Sequence, residues 1–319
     1  MKKILTILMA VCLFSGLTAC REKAVNSENG KSAKVNVLAT IFPLYDWAKN
    51  LSAGNDSVKV DLLLKDGVDM HSYQPSASDI VKISTSDIFI YVGGESDEWV
   101  SDALKNSKNE NMIVINLMDV LKGFLKEEET VEGMQESEEI QESEEHDHEY
   151  DEHVWLSLNN AIASSNEIAR ALMEKDEANS QIYMANLVSY IQGLSALKSE
   201  YSSAFADKTI IVCDRFPFRY LTDEFGIKYY AAFNGCSAET EASFETIAFL
   251  AGKADELNVN TVFVTESSDK KIARTVISSS HQKDCKTVVL DSMQSTTLKQ
   301  ANKGANYYDI MRVNLEALK

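Results

Sequence analysis

Short apolar runs and stretches with helical apolar spacing alternate along most of this chain. VNVLA, VKVDLLL, DIFIYVGG and NMIVINL have the composition of strands, whereas FPLYDWAKNL and SASDIVKIS have the spacing of helices. The same rhythm returns later, with strands at KTIIVC, IKYYAAF, NTVFVTE and KTVVLD separated by helical stretches. The pattern predicts two α/β lobes, each built from βα units around a parallel sheet.

A region without a clear strand, residues 159–205, separates the two regions in which strands and helices alternate. Its second part keeps helical spacing over roughly thirty residues, which corresponds to about 40 Å of helix. We expect a rigid connecting helix at 174–206, between an N-terminal lobe at 35–173 and a C-terminal lobe at 207–319. The ligand site is expected in the cleft between the lobes, at the carboxyl ends of their strands.

The N-terminal segment MKKILTILMAVCLFSGLTAC has two lysines, a short apolar run and small residues before Cys20. This is the layout of a secretory signal, and the run is too short to cross a bilayer stably. LTAC matches the lipobox of bacterial lipoproteins, so we expect cleavage of residues 1–19, a lipid on Cys20 and a flexible tether at 20–34. The mature protein is then expected outside the cytoplasm, anchored to the bacterial cell membrane.

Charge and cysteine content narrow the possible partners. The formal net charge of -18 argues against nucleic acid and is compatible with a cationic ligand. Three cysteines follow Cys20, namely Cys213, Cys236 and Cys285, and an odd number cannot all be paired within one chain. The sequence leaves open whether Cys236 and Cys285 form a disulfide.

Several possible metal donors follow predicted strands. His71 comes after the second strand, Asp291 after the last, and Cys213 and Asp214 close the first strand of the second lobe. His153 stands at the entrance to the next helical region. In this topology the segments converge on one cleft, and nitrogen, oxygen and sulfur donors together suit a tetrahedral zinc site.

An acidic, histidine-bearing loop is predicted at 126–152. From Glu127 onward it has no lysine or arginine, so we expect it to repel itself and to stay disordered without a cation. His146 and His148 predict a weak, flexible metal collector, and the alternative is a solvated acidic loop with incidental histidines. His281 lies in a polar context typical of a surface residue.

The chain resembles a known family through five features that occur in the same order. They are the lipobox, the segment DMHSYQPSASDIVKISTSDIFIYVGGESDEWV, the acidic insertion leading into DEHVWLS, the long connector and LDSMQS. That family is the metal-binding lipoproteins of zinc and manganese ABC importers, also called cluster A-I solute-binding proteins, and the resemblance covers nearly the whole mature chain. It implies that His71 is the first ligating histidine and His153 the second. Asp291 matches an aspartate that some members use as the fourth ligand.

The third ligand position departs from the family pattern. Zinc members have a histidine and manganese members a glutamate at the start of a segment like HDAFGYF, where this chain has CDRFPFRYL. A thiolate from Cys213 would favour zinc, whereas Asp214 would give a harder donor set that suits manganese. Glu239, Glu241 and Glu266 are candidates for orienting the ligands, with helix capping or solvation as the alternative.

The resemblance implies a receptor rather than an enzyme. It would capture a divalent metal, Zn²⁺ or alternatively Mn²⁺, and deliver it to an ABC permease powered by a cytoplasmic ATPase. We expect it to act as a monomer. A zinc-dependent hydrolase is the competing class, but the sequence contains no HExxH motif. Cell adhesion through the same surface is a third class.

Overall fold

The computed structural model describes residues 35–105, 107–135, 150–205, 207–237 and 241–319. The strands within these residues are β1 (Val35–Ala39), β2 (Val58–Leu62), β3 (Ile88–Tyr91), β4 (Ile113–Asn116), β5 (Thr209–Phe216), β6 (Lys228–Asn234), β7 (Thr261–Thr265) and β8 (Lys286–Leu290). The α-helices are α1 (Phe42–Leu51), α2 (Ala77–Ser84), α3 (Trp99–Lys105), α4 (Leu117–Val120), α5 (Leu158–Lys175), α6 (Ser180–Ala204), α7 (Arg219–Phe225), α8 (Phe244–Glu256), α9 (Lys271–Ser279), α10 (Leu298–Ala301) and α11 (Tyr307–Leu318).

The strands form two four-stranded sheets with the same topology. The first sheet has the order β2-β1-β3-β4 and the second the order β6-β5-β7-β8, and every pairing between neighbours is parallel. Helices cover such sheets on both faces, so their strands are continuous apolar runs rather than alternating ones. The predicted fold class, two α/β lobes with parallel sheets, is confirmed.

Local sequence explains where individual helices begin. Ser76 caps α2 by accepting a hydrogen bond from the Asp79 amide, and the Asp79 carboxylate accepts one from the Ser76 amide in return. This reciprocal pair satisfies two backbone donors that a helix start leaves unpaired. Both residues lie in SASDIVKIS, which was predicted to be helical from its apolar spacing.

The long helix α6 connects the two lobes. Its 25 residues correspond to about 37 Å of helix, and it packs against α1, α5 and α11. This agrees with the predicted connecting helix. Within the described residues, no helix is long and apolar enough to cross a membrane.

The C-terminal helix α11 ties the lobes together at its first residue. The Tyr307 amide donates to the buried Asp46 carboxylate on α1, and its hydroxyl donates to the Trp155 carbonyl at 2.7 Å. The Tyr307 ring also packs edge-on against Trp47. The aromatic core therefore extends from α1 to the segment around Trp155, and the described residues between 35 and 319 form one compact unit.

Candidate metal centre

Three side chains that can donate to a metal lie together where segments of the two lobes meet. His71 lies in the short 3-10 turn Met70–Ser72 beyond β2, and His153 directly precedes the turn Val154–Leu156. Cys236 lies two residues past the end of β6. One donor atom from each side chain lies within 4.8 Å of the other two, and the imidazole centroids are 5.3 Å apart.

Each histidine is held by the aspartate two residues before it. Asp69 Oδ1 accepts hydrogen bonds from the His71 amide and from His71 Nδ1, the latter at 2.8 Å. Asp151 Oδ1 does the same for His153, at 2.8 Å from its amide and 3.0 Å from its Nδ1. Because a carboxylate can only accept, each Nδ1 carries the proton and each Nε2 keeps a lone pair for a ligand. This carboxylate–histidine arrangement is the one that commonly orients imidazole ligands to zinc.

Residues of the second lobe hold both aspartates in place. Arg215 Nη1 lies 2.9 Å from Asp69 Oδ2, and the Tyr220 hydroxyl donates to the Asp151 carbonyl at 2.8 Å. Burial raises the pKa of Asp69, but the hydrogen bonds from His71 and the charge of Arg215 outweigh it, so that the pKa lies well below its ordinary value. Asp69 is therefore held as a carboxylate between an imidazole and a guanidinium.

Close packing fixes the His153 ring. A side-chain carbon on Gly235 would lie 2.9 Å from Cε1 of His153 and 3.0 Å from the Phe216 carbonyl oxygen, so glycine alone fits there. On another side the ring contacts Trp155, with centroids 5.2 Å apart. The glycine lets the chain pass over the imidazole and places Cys236 beside it.

A glutamine that the sequence reasoning missed lies between the imidazoles. Gln294 Nε2 is 2.9 Å from His153 Nε2 and 3.4 Å from His71 Nδ1. The loop that carries it is anchored by Glu266, which accepts hydrogen bonds from the amide and the hydroxyl of Ser292. An amide in a loop has no sequence signature of its own, and only the fold brings this one to the histidines.

Carboxylates around the site favour positive charge at its centre. Burial and the charges of Glu128 and Asp151 raise the pKa of the Cys236 thiol well above its ordinary value. Burial lowers the pKa of His153, but Asp151 outweighs it through charge and hydrogen bonding, and the net shift is upward. A cation bound between these groups would be stabilised by the same charges.

The structure does not bring Cys213 or Asp214 to this group, which corrects the expected position of the third donor. β5 continues past Cys213, and its register with β6 shifts between Val212 and Arg215. Cys213 is buried in the apolar cluster of the second sheet, and burial raises the pKa of its thiol. Asp214 Oδ2 instead accepts hydrogen bonds from the amide and hydroxyl of Thr265.

The signal for Cys236 was present in the sequence. Asn234, Gly235 and Cys236 follow a strand-like run directly, so Cys236 stands at the carboxyl edge of a parallel sheet, where ligands are held. The three cysteines among the described residues, including Cys285, are unpaired.

The remaining predicted residues have different surroundings. Asp291 lies past β8, where its Oδ1 accepts a hydrogen bond from the Met293 amide, and burial together with the charge of Glu266 raises its pKa to about 6. Glu266 orients the Gln294 loop rather than touching the histidines. Glu241 is exposed, and Glu239 lies outside the described residues.

The predicted disorder of residues 127–152 is wrong at both ends of that segment. Glu127 forms an antiparallel bridge with Tyr150, and the Gln135 amide donates to the Ala232 carbonyl at 3.0 Å. Asn234 donates to Glu128, so the acidic residues gain partners from the second lobe instead of repelling the segment from it. Electrostatic repulsion was the wrong guide because it ignored these partners.

The remaining expected features lie outside the described residues, namely the signal at 1–19, the lipidated Cys20 with its tether at 20–34, and His146 and His148. His281 is exposed, as expected, and pairs with Asp255.

Two α/β lobes, each built on a parallel sheet, with metal-donor side chains gathered between them are the features of the class of two-lobed binding proteins. The family model described as ZnuA, zinc-uptake complex component A periplasmic, matches residues 37–319. The chain belongs to this family.

Curated relatives agree with this assignment. The chain is 30% identical over 317 residues to the high-affinity zinc uptake system protein ZnuA of Bacillus subtilis, covering 98% of this chain and 95% of that protein. It is 28% identical over 324 residues to the zinc-binding protein AdcA of Streptococcus pyogenes, covering 100% of this chain and 61% of AdcA. The chain thus spans about three fifths of the length of the AdcA relatives.

Solved structures show the same fold. The metal-dependent lipoprotein YcdH of Bacillus subtilis superposes with a TM-score of 0.71 at 28% identity, covering 89% of this chain and 98% of YcdH. The Zn(II)-bound ZnuA-like domain of Streptococcus pneumoniae AdcA superposes with a TM-score of 0.68 at 25% identity, covering 89% of this chain and 97% of that domain.

Proposed function

We propose that this protein is an extracytoplasmic solute-binding lipoprotein that captures zinc and delivers it to an ABC permease driven by a cytoplasmic ATPase. The observation that carries the proposal is the pair of aspartate-held imidazoles beside a thiol, with donor atoms within 4.8 Å of one another. The names of the ZnuA and AdcA relatives and membership of a zinc-uptake family support the same cargo.

The donor types favour zinc over manganese. Imidazole and thiolate are ligands that zinc prefers, whereas manganese prefers carboxylate, carbonyl and water oxygens. The harder set expected with Asp214 is not assembled, because Asp214 is engaged by Thr265. Binding and release of a metal ion require no chemical reaction, so the proposed role is a receptor rather than an enzyme.

Two cysteine variants give a matched test of the site. The chain from Arg21 onward, kept reduced, is titrated with zinc against a chromophoric chelator as wild type, Cys236→Ser and Cys213→Ser. We expect one tightly held zinc in wild type and in Cys213→Ser, and an affinity at least about 10- to 100-fold weaker in Cys236→Ser. Absence of tight zinc binding in wild type, or its loss in Cys213→Ser alone, would contradict the proposal.

The transport role is tested in the organism. A strain that lacks this gene should grow poorly when zinc is limiting, and the wild-type gene should restore growth whereas His71→Ala should not. A defect that manganese relieves and zinc does not would assign a different cargo.

A further inference from the structure

Glu152 is a buried carboxylate beside the candidate centre, with Oε2 3.8 Å from His71 Nε2. It stands between Asp151, which holds an imidazole, and His153 itself, and it is 2% exposed. Neither the strand-end pattern nor the family resemblance pointed to it. Its two oxygens have different environments.

One oxygen is fixed by the loop that follows β3. The Ser96 amide donates to Glu152 Oε1 at 2.9 Å. Gly94 has a φ of +82°, and a side-chain carbon there would lie 2.2 Å from the same oxygen. The loop therefore closes around the carboxylate at a position that only glycine permits.

The other oxygen faces a second unpaired atom. Glu152 Oε2 and His71 Nε2 are both buried without a hydrogen-bond partner among the described residues, and they lie 3.8 Å apart. Leaving a buried polar atom unpaired costs roughly 1–3 kcal/mol, so two such atoms facing each other call for a shared partner. Oxygen and nitrogen ligands bound to one tetrahedral zinc at 2.0–2.1 Å are about 3.3 Å apart, close to the separation seen here.

We propose that Glu152 Oε2 is the fourth zinc donor, completing a set with His71, His153 and Cys236. This inference rests on the proposed function. A thiolate and a carboxylate together balance the charge of Zn²⁺, which lowers the cost of burying the ion. Asp291, the fourth ligand implied by the family resemblance, accepts a hydrogen bond from the Met293 amide at its Oδ1 and serves as the matched comparison.

The matched variants are Glu152→Gln and Asp291→Asn, each of which replaces a carboxylate with an amide of equal size. Glu152→Gln keeps an oxygen that can accept from Ser96, so the fold is preserved, and unfolding of the zinc-free protein in urea checks this. Zinc affinity, measured by chelator competition, should fall about 10- to 100-fold or more in Glu152→Gln. It should change less than about threefold in Asp291→Asn.

Cobalt provides a second measurement that does not depend on affinity. Its visible absorption reports the donors around the ion, so saturated Glu152→Gln should give a spectrum different from wild type while saturated Asp291→Asn should not. Glu152→Asp, which keeps the charge but withdraws the oxygen by one methylene, should also weaken zinc binding and serves if Glu152→Gln does not fold.

The outcomes separate this inference from the proposed function. Wild type that binds zinc tightly, with Glu152→Gln unchanged in both affinity and cobalt spectrum, would overturn the assignment of Glu152 and leave the function standing. The reverse pattern, with loss in Asp291→Asn, would overturn it too and give the fourth position to Asp291. Wild type without a tight zinc site would remove the function and this inference together.

Discussion

The two aspartate–histidine units have the same local design but different surroundings. In the first, the side chains of Asp69 and His71 are 29% and 14% exposed, and Arg215 from the other lobe pairs with the aspartate. In the second, the side chains of Asp151 and His153 are 4% and 0% exposed. The Asp151–His153 unit is therefore part of the core as well as of the site. The Asp69–His71 unit belongs to the site and to the contact between the lobes.

Replacing each histidine separates these two roles. His153→Ala should lower the free energy of unfolding of the zinc-free protein by roughly 2–4 kcal/mol, because it leaves a cavity and an unpaired buried carboxylate. His71→Ala should lower it by only about 1 kcal/mol, because its unit is partly exposed. Both variants should lose tight zinc binding. Urea unfolding and chelator competition measure the two effects, and equal losses of stability would contradict the comparison.

Asp46 contributes a pH dependence of stability that is independent of both units. Burial raises its pKa from 3.8 to about 6, against the hydrogen bonds from Tyr307 and Asn50. The folded state therefore binds the Asp46 proton more tightly than the unfolded state. The stability that this protonation adds is fully present below about pH 4 and is lost as the pH rises to about 6, a change of roughly 3 kcal/mol in the free energy of unfolding.

Asp46→Asn should remove most of that fall, and urea unfolding of the zinc-free protein at about pH 4, 5, 6 and 7 measures it. The remaining pH dependence then reports the rest of the molecule, including the two units. An unchanged dependence in Asp46→Asn would show that Asp46 is not its source.

The aspartates themselves should matter for zinc more than for folding. Asp151→Asn and Asp69→Asn each keep an oxygen for Nδ1 but remove the charge that favours a basic imidazole. Zinc affinity should fall about 10- to 100-fold in each, as for other groups that orient a metal ligand. Titration against a chelator measures the loss, with Asp255→Asn, beside the exposed His281, as the control that should bind like wild type. An unaltered affinity in both site variants would refute the orienting role.

The smallest effect is expected from the link between the lobes. Arg215→Gln removes the partner of Asp69, and a partly exposed ion pair is worth about 1 kcal/mol at most, equal to about fivefold or less in zinc affinity. The difference from wild type should shrink as salt is added, because added ions screen the pair. A loss of affinity that grows with salt would exclude an electrostatic cause.

Strand and helix order could be predicted from the sequence because apolar spacing and end signals such as Ser76 agree with the tertiary structure. His71 and His153 were expected in one cleft, and the structure brings them together, while their role as ligands stays a prediction. Among only five histidines, His71 follows a predicted strand and His153 precedes a predicted helical region, and their D-x-H spacing makes the supporting hydrogen bonds local.

The second lobe was harder to predict. A register irregularity extends β5 beyond Cys213, and periodicity cannot reveal such an irregularity, so the predicted donor faces apolar neighbours. Gln294 meets both histidines, and Glu152 meets His71, through contacts between distant segments, which no local pattern records. The long-range partners of Glu128 likewise explain why an acidic run is ordered at its ends.

The most direct test of the central claim, that His71, His153 and Cys236 hold zinc together, is X-ray absorption at the zinc edge of the loaded, reduced protein. The account predicts one sulfur neighbour at about 2.3 Å and nitrogen or oxygen neighbours at about 2.0–2.1 Å, with the sulfur absent in Cys236→Ser and present in Cys213→Ser. A wild-type spectrum without sulfur, or one whose sulfur survives Cys236→Ser, would contradict it.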